Sequence, residues 1–229
     1  MERISLNSSL IFNLLNLPPK YYYLNYNIFV LIYPIVFGIP FSLIATYYSF
    51  VCGYLKSLFD ELTLELRGQF VEHHYQQLLE VYDRTVNVMN TLDAYFSYPA
   101  FVIVSSSMVA HFWVGCNLVF TPKENYESYL FPLTFAIFYL FLSQSIVLPA
   151  SIVNAAAKLT KDEVTSLLGR IPSRYKELKI RLAVYKRDNA LSLWKIYDID
   201  KSLNVSIFGT VITYGILIAT LKISQETKN

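Results

Sequence analysis

Charged side chains are scarce in this sequence, and the scarcity is concentrated in four long stretches. Only 16% of the 229 residues are charged, against about 25% in soluble globular domains. Each of four stretches contains no Asp, Glu, Lys or Arg: Tyr21–Leu55, Ala94–Pro122, Ser128–Ala157 and Ser202–Leu221. Such an uneven distribution argues against an ordinary soluble domain, in which each surface helix carries a charged or polar face.

The length of each charge-free stretch matches the thickness of a bilayer. A membrane core of about 30 Å needs about 20 residues of helix, and one Lys or Asp at its centre costs about 2.5–3.5 kcal/mol. We therefore predict an all-α, polytopic membrane protein with four transmembrane helices and long cytoplasmic helical extensions. Four buried helices of a soluble core are the alternative, but such helices usually carry one polar edge. Transmembrane strands would alternate polar and apolar residues, which these stretches do not.

Residues with reactive or ligand-binding chemistry are few. The two cysteines, Cys52 and Cys116, lie in charge-free stretches and are interpreted as small apolar residues. The adjacent His73 and His74 would point about 100° apart on a helix, so they form a poor metal site. The sequence has no glycine-rich phosphate loop and no nucleophile elbow. We expect no enzyme activity, catalytic residue, cofactor or metal, and the net charge of +2 does not indicate a nucleic-acid partner.

Basic residues indicate which side of the membrane each loop occupies. The loops Lys56–Asp93 and Lys158–Lys201 hold three and eleven Lys or Arg, which is 14 of the 19 in the chain. The positive-inside rule places these loops in the cytoplasm and both termini of this chain outside. The predicted organisation is an outer segment 1–20, three transmembrane helices within 21–157 with a cytoplasmic helical loop at 56–93, a basic cytoplasmic helical loop 158–201, a last transmembrane helix 202–222 and an outer tail 223–229.

Both cytoplasmic loops are predicted to be helical. In the first, mostly apolar residues recur every three or four positions, and Gly68 is the predicted interruption. In the second, a helix begins at Lys158 and breaks at Ile171–Pro172, and a further helix after Ser173 is predicted to reach Trp194. We expect the two loops to pack as a bundle, the alternative being helices on the lipid surface. The stripe of the first loop comprises Leu58, Leu62, Leu66, Phe70, His74, Leu78, Tyr82, Val86 and Met89.

The last apolar stretch carries hydroxyl side chains on one helical face. Ser206, Thr210, Thr213 and Thr220 are spaced by four, three and seven residues, and Gly209 lies beside them. Hydroxyls that face water can replace part of an ion's hydration shell, so the stripe predicts a pore lining. Close packing of small residues against another helix is the alternative, and the spacing does not separate the two.

Four further residues are candidates for a ligand pocket. His111 is the titratable imidazole of the second stretch, and Trp113 follows it closely. Tyr47 and Tyr48 lie deeper in the first helix than the tyrosines predicted to form an interfacial belt. Ionisable residues inside a membrane are candidates for function, although a neutral histidine can equally form a hydrogen bond to a neighbouring helix.

Asp200, Lys201 and Leu203 at the start of the last helix, followed by Thr213 and Tyr214 in its middle, form a pattern that resembles the end of arthropod gustatory receptors. In that family an apolar–acid–base–x–Leu turn leads into a last helix that carries Thr-Tyr, five apolar residues and Gln-Phe. Here Thr220-Leu221 replace Gln-Phe. The order of helices and cytoplasmic loops indicated by charge also agrees with the last four helices of these seven-helix receptors. The residues that match the motif are Asp200, Lys201, Leu203, Thr213 and Tyr214.

The resemblance implies a ligand-gated, nonselective cation channel in the plasma membrane that responds to a small-molecule tastant. Four identical or related subunits would surround one pore lined by the last helix of each, with the cytoplasmic helices holding them together in the lipid bilayer. It also implies that three N-terminal helices of a receptor are missing from this chain. A G-protein-coupled receptor fragment, with its C-terminus inside, is an alternative, as is part of a secondary transporter, which would show internal repeats.

Overall fold

The computed structural model describes residues 34–68, 75–120, 127–170 and 190–226, and nearly all of them are helical. A π-helical turn, Pro34–Gly38, leads into α1, Ile39–Arg67. Helix α2 is Tyr75–Phe120, and α3 is Glu127–Arg170. An antiparallel hairpin of β1, Ser192–Leu193, and β2, Tyr197–Asp198, precedes α4, Lys201–Glu226.

Helices α1 and α3 pack together at the centre of the fold and run in the same direction. Thr63 hydrogen-bonds Thr160 through their hydroxyls at 2.8 Å, and Arg67 pairs with Glu163 at 2.7 Å one turn further along both helices. Buried residues of α1 recur in alternating steps of three and four, the pattern by which two helices interlock. These buried residues are Ala45, Tyr48, Cys52, Leu55, Phe59, Leu62 and Leu66.

The apolar stripe predicted in the first cytoplasmic loop is buried within the same chain. This agrees with the predicted packing of helices against one another, because the stripe joins the core formed by α1, α2 and α3. Leu58 lies half buried at the edge, while Phe70 and His74 lie outside the described residues. Helix α1 ends at Arg67, and the backbone N–H of Gly68 caps its last carbonyls. The buried members of the stripe are Leu62, Leu66, Tyr82, Val86 and Met89.

Three helices in the described part of the chain are long and apolar enough to cross a membrane: Ile35–Arg67, Gln77–Cys116 and Pro132–Ser166. They overlap the first three of the four predicted membrane helices. The fourth prediction, 202–222, falls within α4. That helix has 26 residues, about 39 Å at 1.5 Å per residue. The chain is therefore a mainly helical, multi-pass membrane protein.

The prediction that a helix reaches Trp194 is wrong. Residues Ser192 to Asp198 form a hairpin, and Trp194 occupies its turn. The reason is tertiary, since the backbone of this segment is held by hydrogen bonds from α2 and α3 that local helix propensity does not reveal. The segment 158–201 therefore contains helix to Arg170 and a hairpin from Ser192, with 171–189 outside the described residues.

Helix α4 lies against α2 and α3, and most of the side chains that the structure describes on it are exposed. Of its described side chains, Ile207 alone is buried. The large apolar side chains of Val205, Ile212, Ile216 and Leu217 are all exposed. The last helix therefore differs from the first three, each of which contributes many side chains to the core.

Candidate functional site

The turn immediately before α4 has a strained backbone. Trp194 and Lys195 have φ of 49° and 55°, and they are the non-glycine residues with positive φ in the described part of the chain. The turn is closed by the Ile196 N–H, which donates to the Leu193 carbonyl at 3.0 Å. Hairpin turns with two positive φ values favour Asn-Gly, and left-handed backbone costs about 1–2 kcal/mol for each other residue. Such strain persists where surrounding contacts hold it.

Asn154 of α3 holds the open end of the hairpin. Its side-chain Nδ2 donates to the Ile199 carbonyl at 2.7 Å and to the Leu191 carbonyl at 3.0 Å. Its Oδ1 accepts from the Leu191 N–H at 2.7 Å. Leu191 and Ile199 are fully buried, and an unpaired backbone group in such a place costs about 1–3 kcal/mol. The amide of Asn154 therefore forms hydrogen bonds with the backbone next to both strands, at Leu191 before β1 and at Ile199 after β2.

Asp93 of α2 holds the first strand from the other side. Its Oδ1 accepts from the Ser192 N–H at 2.7 Å and from the Ser192 hydroxyl at 2.9 Å. One turn along α2, the Ser97 carbonyl accepts from the Trp194 N–H at 3.0 Å. We call residues 191–199, together with Asn154 and Asp93, the junction. Because the junction is fixed to two helices, a relative movement of α2 and α3 must strain it and displace the start of α4.

The acid of the Asp-Lys-x-Leu motif caps the last helix. Asp200 Oδ1 accepts from the Ser202 hydroxyl at 2.7 Å and from the Leu203 N–H at 3.0 Å, which is the geometry of an N-cap. The hydrogen bond from Ser202 and the N–H of Leu203 lower the pKa of Asp200. Lys201 and Tyr214 are two further positions of the motif. Their backbones are part of α4, and their side chains lie outside the part of the chain that the structure describes.

The hydroxyl stripe predicted on the last helix lies on an uncovered surface. Ser206, Thr213 and Thr220 are exposed, and Thr210 is half buried. The threonine hydroxyls donate to carbonyls of their own helix, at 2.7 Å for Thr210 and Thr213 and 2.8 Å for Thr220. A Cβ added at Gly209 would meet nothing within 4 Å. The single chain therefore does not use this stripe as a packing seam.

The four candidate pocket residues do not come together. Tyr48 is buried and the Tyr47 ring is exposed, and both rings contact Phe96 at centroid distances of 6.0 and 5.5 Å. His111, further along α2, contacts the Ser107 carbonyl of its own helix through Nδ1 at 2.6 Å. Phe96 and His111 are 15 residues apart on α2, about 22 Å along the axis. One ligand cannot contact both pairs.

Trp113 lies in the same half of α2 as His111, away from the tyrosines of α1. Its ring packs edge-on against Phe135 of α3 at 5.9 Å, and Phe135 contacts Tyr139 at 4.8 Å. This aromatic row links α2 to α3 in the half of the span that is remote from Asp93. Of the four candidate pocket residues, Trp113 belongs to this row, and His111 lies two residues before it on α2, about 200° around the helix.

The sequence analysis missed Asn154 and Gln144. Both are uncharged amides inside the third apolar stretch, and a lone amide there is itself a signal, because a polar group in lipid needs a partner. Asn154 has such a partner in the hairpin. The Nε2 of Gln144 is buried without a hydrogen-bond partner, which is rare for a buried donor and makes it a candidate to bind another molecule.

A family model described as a 7tm chemosensory receptor matches residues 4–224. No curated protein matches the chain.

Proposed function

The chain belongs to the 7tm chemosensory receptor family, and from this premise we propose that it is a gustatory-type receptor subunit that forms a ligand-gated, nonselective cation channel. The family match covers 221 of the 229 residues, from 4 to 224. A small-molecule tastant would bind within the membrane part, and its binding would move the last helix. The proposal includes four membrane helices in this chain and an assembly of four identical or related subunits in the plasma membrane.

The uncovered surface of α4 is the observation that carries the proposal. A helix of 26 residues with exposed Ile212, Ile216 and Leu217 needs lipid or other subunits around it. On a helical projection of 100° per residue, Ser206, Thr210, Thr213 and Thr220 occupy a sector of about 80°. In a ring of subunits this sector faces the axis, and the apolar sides face neighbouring helices.

Leu217 falls within the same sector as the hydroxyl stripe. On the projection it lies about 20° from Ser206, between Thr210 and Thr213. An apolar ring among hydroxyl rings is a constriction that can dewet and block ions. We propose that Leu217 forms the narrow apolar part of the pore and that the threonines line the wetted parts on either side.

The proposed orientation has the junction at the cytoplasmic end of the apolar stretches and the charged extensions in the cytoplasm. The 14 of 19 basic residues in the loops 56–93 and 158–201 support this side. Helices α1 and α3 continue beyond their apolar stretches on that side and pair through Arg67 and Glu163. A tag after Asn229 should therefore be labelled on intact cells. Labelling that requires permeabilised cells would contradict the orientation.

For the ligand we propose the aromatic row at the remote half of the span. His111, Trp113 and Phe135 combine an imidazole with flat apolar surfaces, as pockets for small organic ligands do. Tyr47 and Tyr48 are not included, because they pack on Phe96 at the start of the apolar stretch of α2, away from this row. Trp113→Ala should weaken a tastant response at the cell surface, whereas Tyr47→Ala should leave its ligand dependence unchanged.

Cysteine accessibility tests the pore directly. In a chain with Cys52→Ala and Cys116→Ser, single cysteines replace Ser206, Thr213 or, as the matched control, Ile212. The control lies about 120° around α4 from Ser206 and is also exposed. A charged thiol reagent added to expressing cells should modify the first two positions and reduce current. Ile212→Cys should react much more slowly.

Two readouts keep the outcomes of this experiment distinct. Modification is measured by the mass added to the purified protein, and conduction is measured by current. Equal reaction at all positions would mean that the stripe does not define a separate aqueous surface. Fast reaction at Ser206 and Thr213 without any change in current would leave an aqueous face but contradict the channel.

A further inference from the structure

An exposed aromatic surface surrounds the turn of the hairpin. Trp194 is 50% exposed and Ile196 is 73% exposed. Next to them on α2, Tyr95 and Tyr98 are also exposed, and the Tyr98 ring packs edge-on against Trp194 at 5.6 Å. We call Tyr95, Tyr98, Trp194 and Ile196 the tip patch. The junction holds Trp194 through its backbone N–H, so the hydrogen bonding does not explain why these side chains are large and apolar.

The hairpin runs alongside α2 toward the membrane centre. Its base lies at Asp93, the last charged residue before the apolar stretch of α2, and its turn lies at Ser97. The Trp194 ring also contacts Phe101 at 5.2 Å. Ser97 and Phe101 are four and eight residues beyond Asp93, which is about 6 and 12 Å along a helix. The interfacial layer on each side of a bilayer is about 5–8 Å thick, so a bilayer that begins at Asp93 would have the turn within this layer.

The tip patch is continuous with the exposed face of the membrane helix. Tyr95, Tyr98, Val109, Phe112 and Trp113 are exposed and fall within one sector of about 100° on α2. At the far end of this sector the Trp113 ring packs on Phe135 of α3, whereas Tyr95 and Tyr98, next to the hairpin, are 74% and 55% exposed. The tip patch therefore forms one end of an exposed apolar sector of α2.

The chemistry of the turn fits the boundary between water and lipid. Trp and Tyr are enriched at this depth because their rings are apolar and their N–H or O–H groups can reach water. The residue between Trp194 and Ile196 is Lys195, which can extend its ammonium group to lipid phosphates. The carboxylates of the hairpin, Asp198 and Asp200, belong to its base rather than to its turn.

From this position and chemistry we propose that the tip patch is a lipid-contact site, with Trp194 and Ile196 seated in the interfacial layer of the bilayer. The occupant is the glycerol and headgroup region of phospholipids, with Lys195 near their phosphates. The proposal rests on the membrane helices of this family and does not depend on ion conduction. Lipid contact at the turn fixes the depth of the hairpin in the bilayer. It also fixes the start of α4, because only residues 197–200 separate the turn from Lys201.

Fluorescence of a single tryptophan tests the site. The chain has two tryptophans, Trp113 and Trp194, so Trp113→Phe leaves Trp194 as the sole indole. The full chain is reconstituted in phosphatidylcholine vesicles containing a minor share of phosphatidylserine. Lipids brominated near the glycerol, lipids brominated near the chain end, and aqueous acrylamide serve as quenchers. We expect the largest loss of Trp194 emission with the shallow bromolipid and an emission shifted to shorter wavelength than that of free tryptophan.

The reciprocal variant is the matched control. Trp194→Phe leaves Trp113, which is exposed on the same face of α2 but 16 residues further along from Ser97. Its emission should be quenched more by the deep bromolipid than Trp194 is. Strong quenching of Trp194 by acrylamide alone would overturn the proposal in favour of an aqueous turn. Protection of Trp194 from all three quenchers would overturn it in favour of a covering protein surface.

A second single-tryptophan variant controls for effects that the substitutions themselves have on the protein. In a chain with Trp113→Phe and Trp194→Phe, Ile196→Trp places the indole at the other side of the turn. It should show the same preference for the shallow bromolipid. A preference for acrylamide at this position, in a protein that elutes as one species, would also contradict the lipid-contact site.

Discussion

Helices α1 to α3 and helix α4 are similarly apolar, yet the first three contribute many buried side chains to the core, whereas most of the described side chains of α4 are exposed. The difference lies in the pattern. Helix α1 repeats its buried residues at steps of three and four from Ala45 to Leu66, which forms a seam for a neighbouring helix. Helix α4 has apolar residues on several sides and a hydroxyl stripe on another. Composition alone therefore identifies a membrane helix but does not say what covers it.

The junction connects these two parts. It is polar, it is held by side chains from α2 and α3, and it ends where Asp200 caps α4. The junction is the covalent connection between the packed bundle of α1, α2 and α3 and the helix α4. A movement of α4 relative to the bundle is therefore transmitted through the junction. Perturbing the core, the junction and the cap should consequently give effects of decreasing size.

The largest effect is expected from a charge in the core seam. Leu62 is 3% exposed, whereas Leu64 on the same helix is 71% exposed. Leu62→Glu should destabilise the folded chain by about 3–5 kcal/mol, because it buries an unpaired charge. Leu64→Glu should cost less than about 0.5 kcal/mol. The measurement is the thermal midpoint of the purified protein in detergent.

This pair of variants also distinguishes a contact within one subunit from a contact between subunits. Because Leu62 is buried in its own chain, its loss should unfold the protein rather than merely dissociate subunits. A folded monomer of Leu62→Glu would contradict the single-chain seam. A folded but dissociated Leu64→Glu would instead identify its surface as a contact between subunits.

A smaller but still large effect is expected at the junction. Asn154→Ala removes three hydrogen bonds and leaves buried backbone groups of Leu191 and Ile199 unpaired, which should cost about 2–4 kcal/mol locally. Hydrogen exchange of the peptide containing these two residues should accelerate. Ser145→Ala on the same helix is the control, because its hydroxyl bonds only the Phe141 carbonyl one turn away. Unchanged exchange in Asn154→Ala would mean that the hydrogen bonds of Asn154 are not needed to hold the hairpin.

Relieving the strained turn should stabilise the hairpin slightly. Lys195→Gly removes the cost of a left-handed lysine and should gain about 1 kcal/mol, less the greater entropy of glycine in the unfolded chain. Lys158→Gly, in the interior of α3, should instead lose about 1 kcal/mol. The measurement is again hydrogen exchange, at the turn and in α3. Faster exchange at the turn of Lys195→Gly would show that the lysine side chain itself holds the turn.

The smallest effect concerns pH at the start of α4. The pKa of Asp200 is lowered in the folded chain, so its contribution is present above the unfolded value near 3.8 and is lost as the pH falls through the folded pKa. Asp200→Asn keeps a cap at every pH, while Asp200→Ala removes about 0.5–1 kcal/mol of helix-end stability at neutral pH. The protection factor of the Leu203 amide, which is its exchange rate corrected for the intrinsic rate at each pH, should fall at acid pH in the native chain and stay constant in the Asn variant.

The presence of three helices long enough to cross a membrane could be predicted from the sequence, because the cost of a charge in lipid shows directly as charge-free stretches. The interruption at Gly68 follows from local backbone chemistry in the same way. The candidate pocket could not be predicted as a unit. Tyr48 and His111 both lie in apolar stretches, but their distance along the bundle depends on how α1 and α2 pack.

By itself, the sequence determined that this is a helical membrane protein and which stretch forms its last helix, since both follow from the transfer of side chains and backbone into lipid. Only the tertiary structure decided that Ser192–Asp198 is a hairpin and that Asn154 and Asp93 hold it. These contacts join residues 37 and 99 positions apart. A long-range hydrogen bond to a buried backbone overrides local propensity, because leaving that backbone unpaired costs more than the helix would gain.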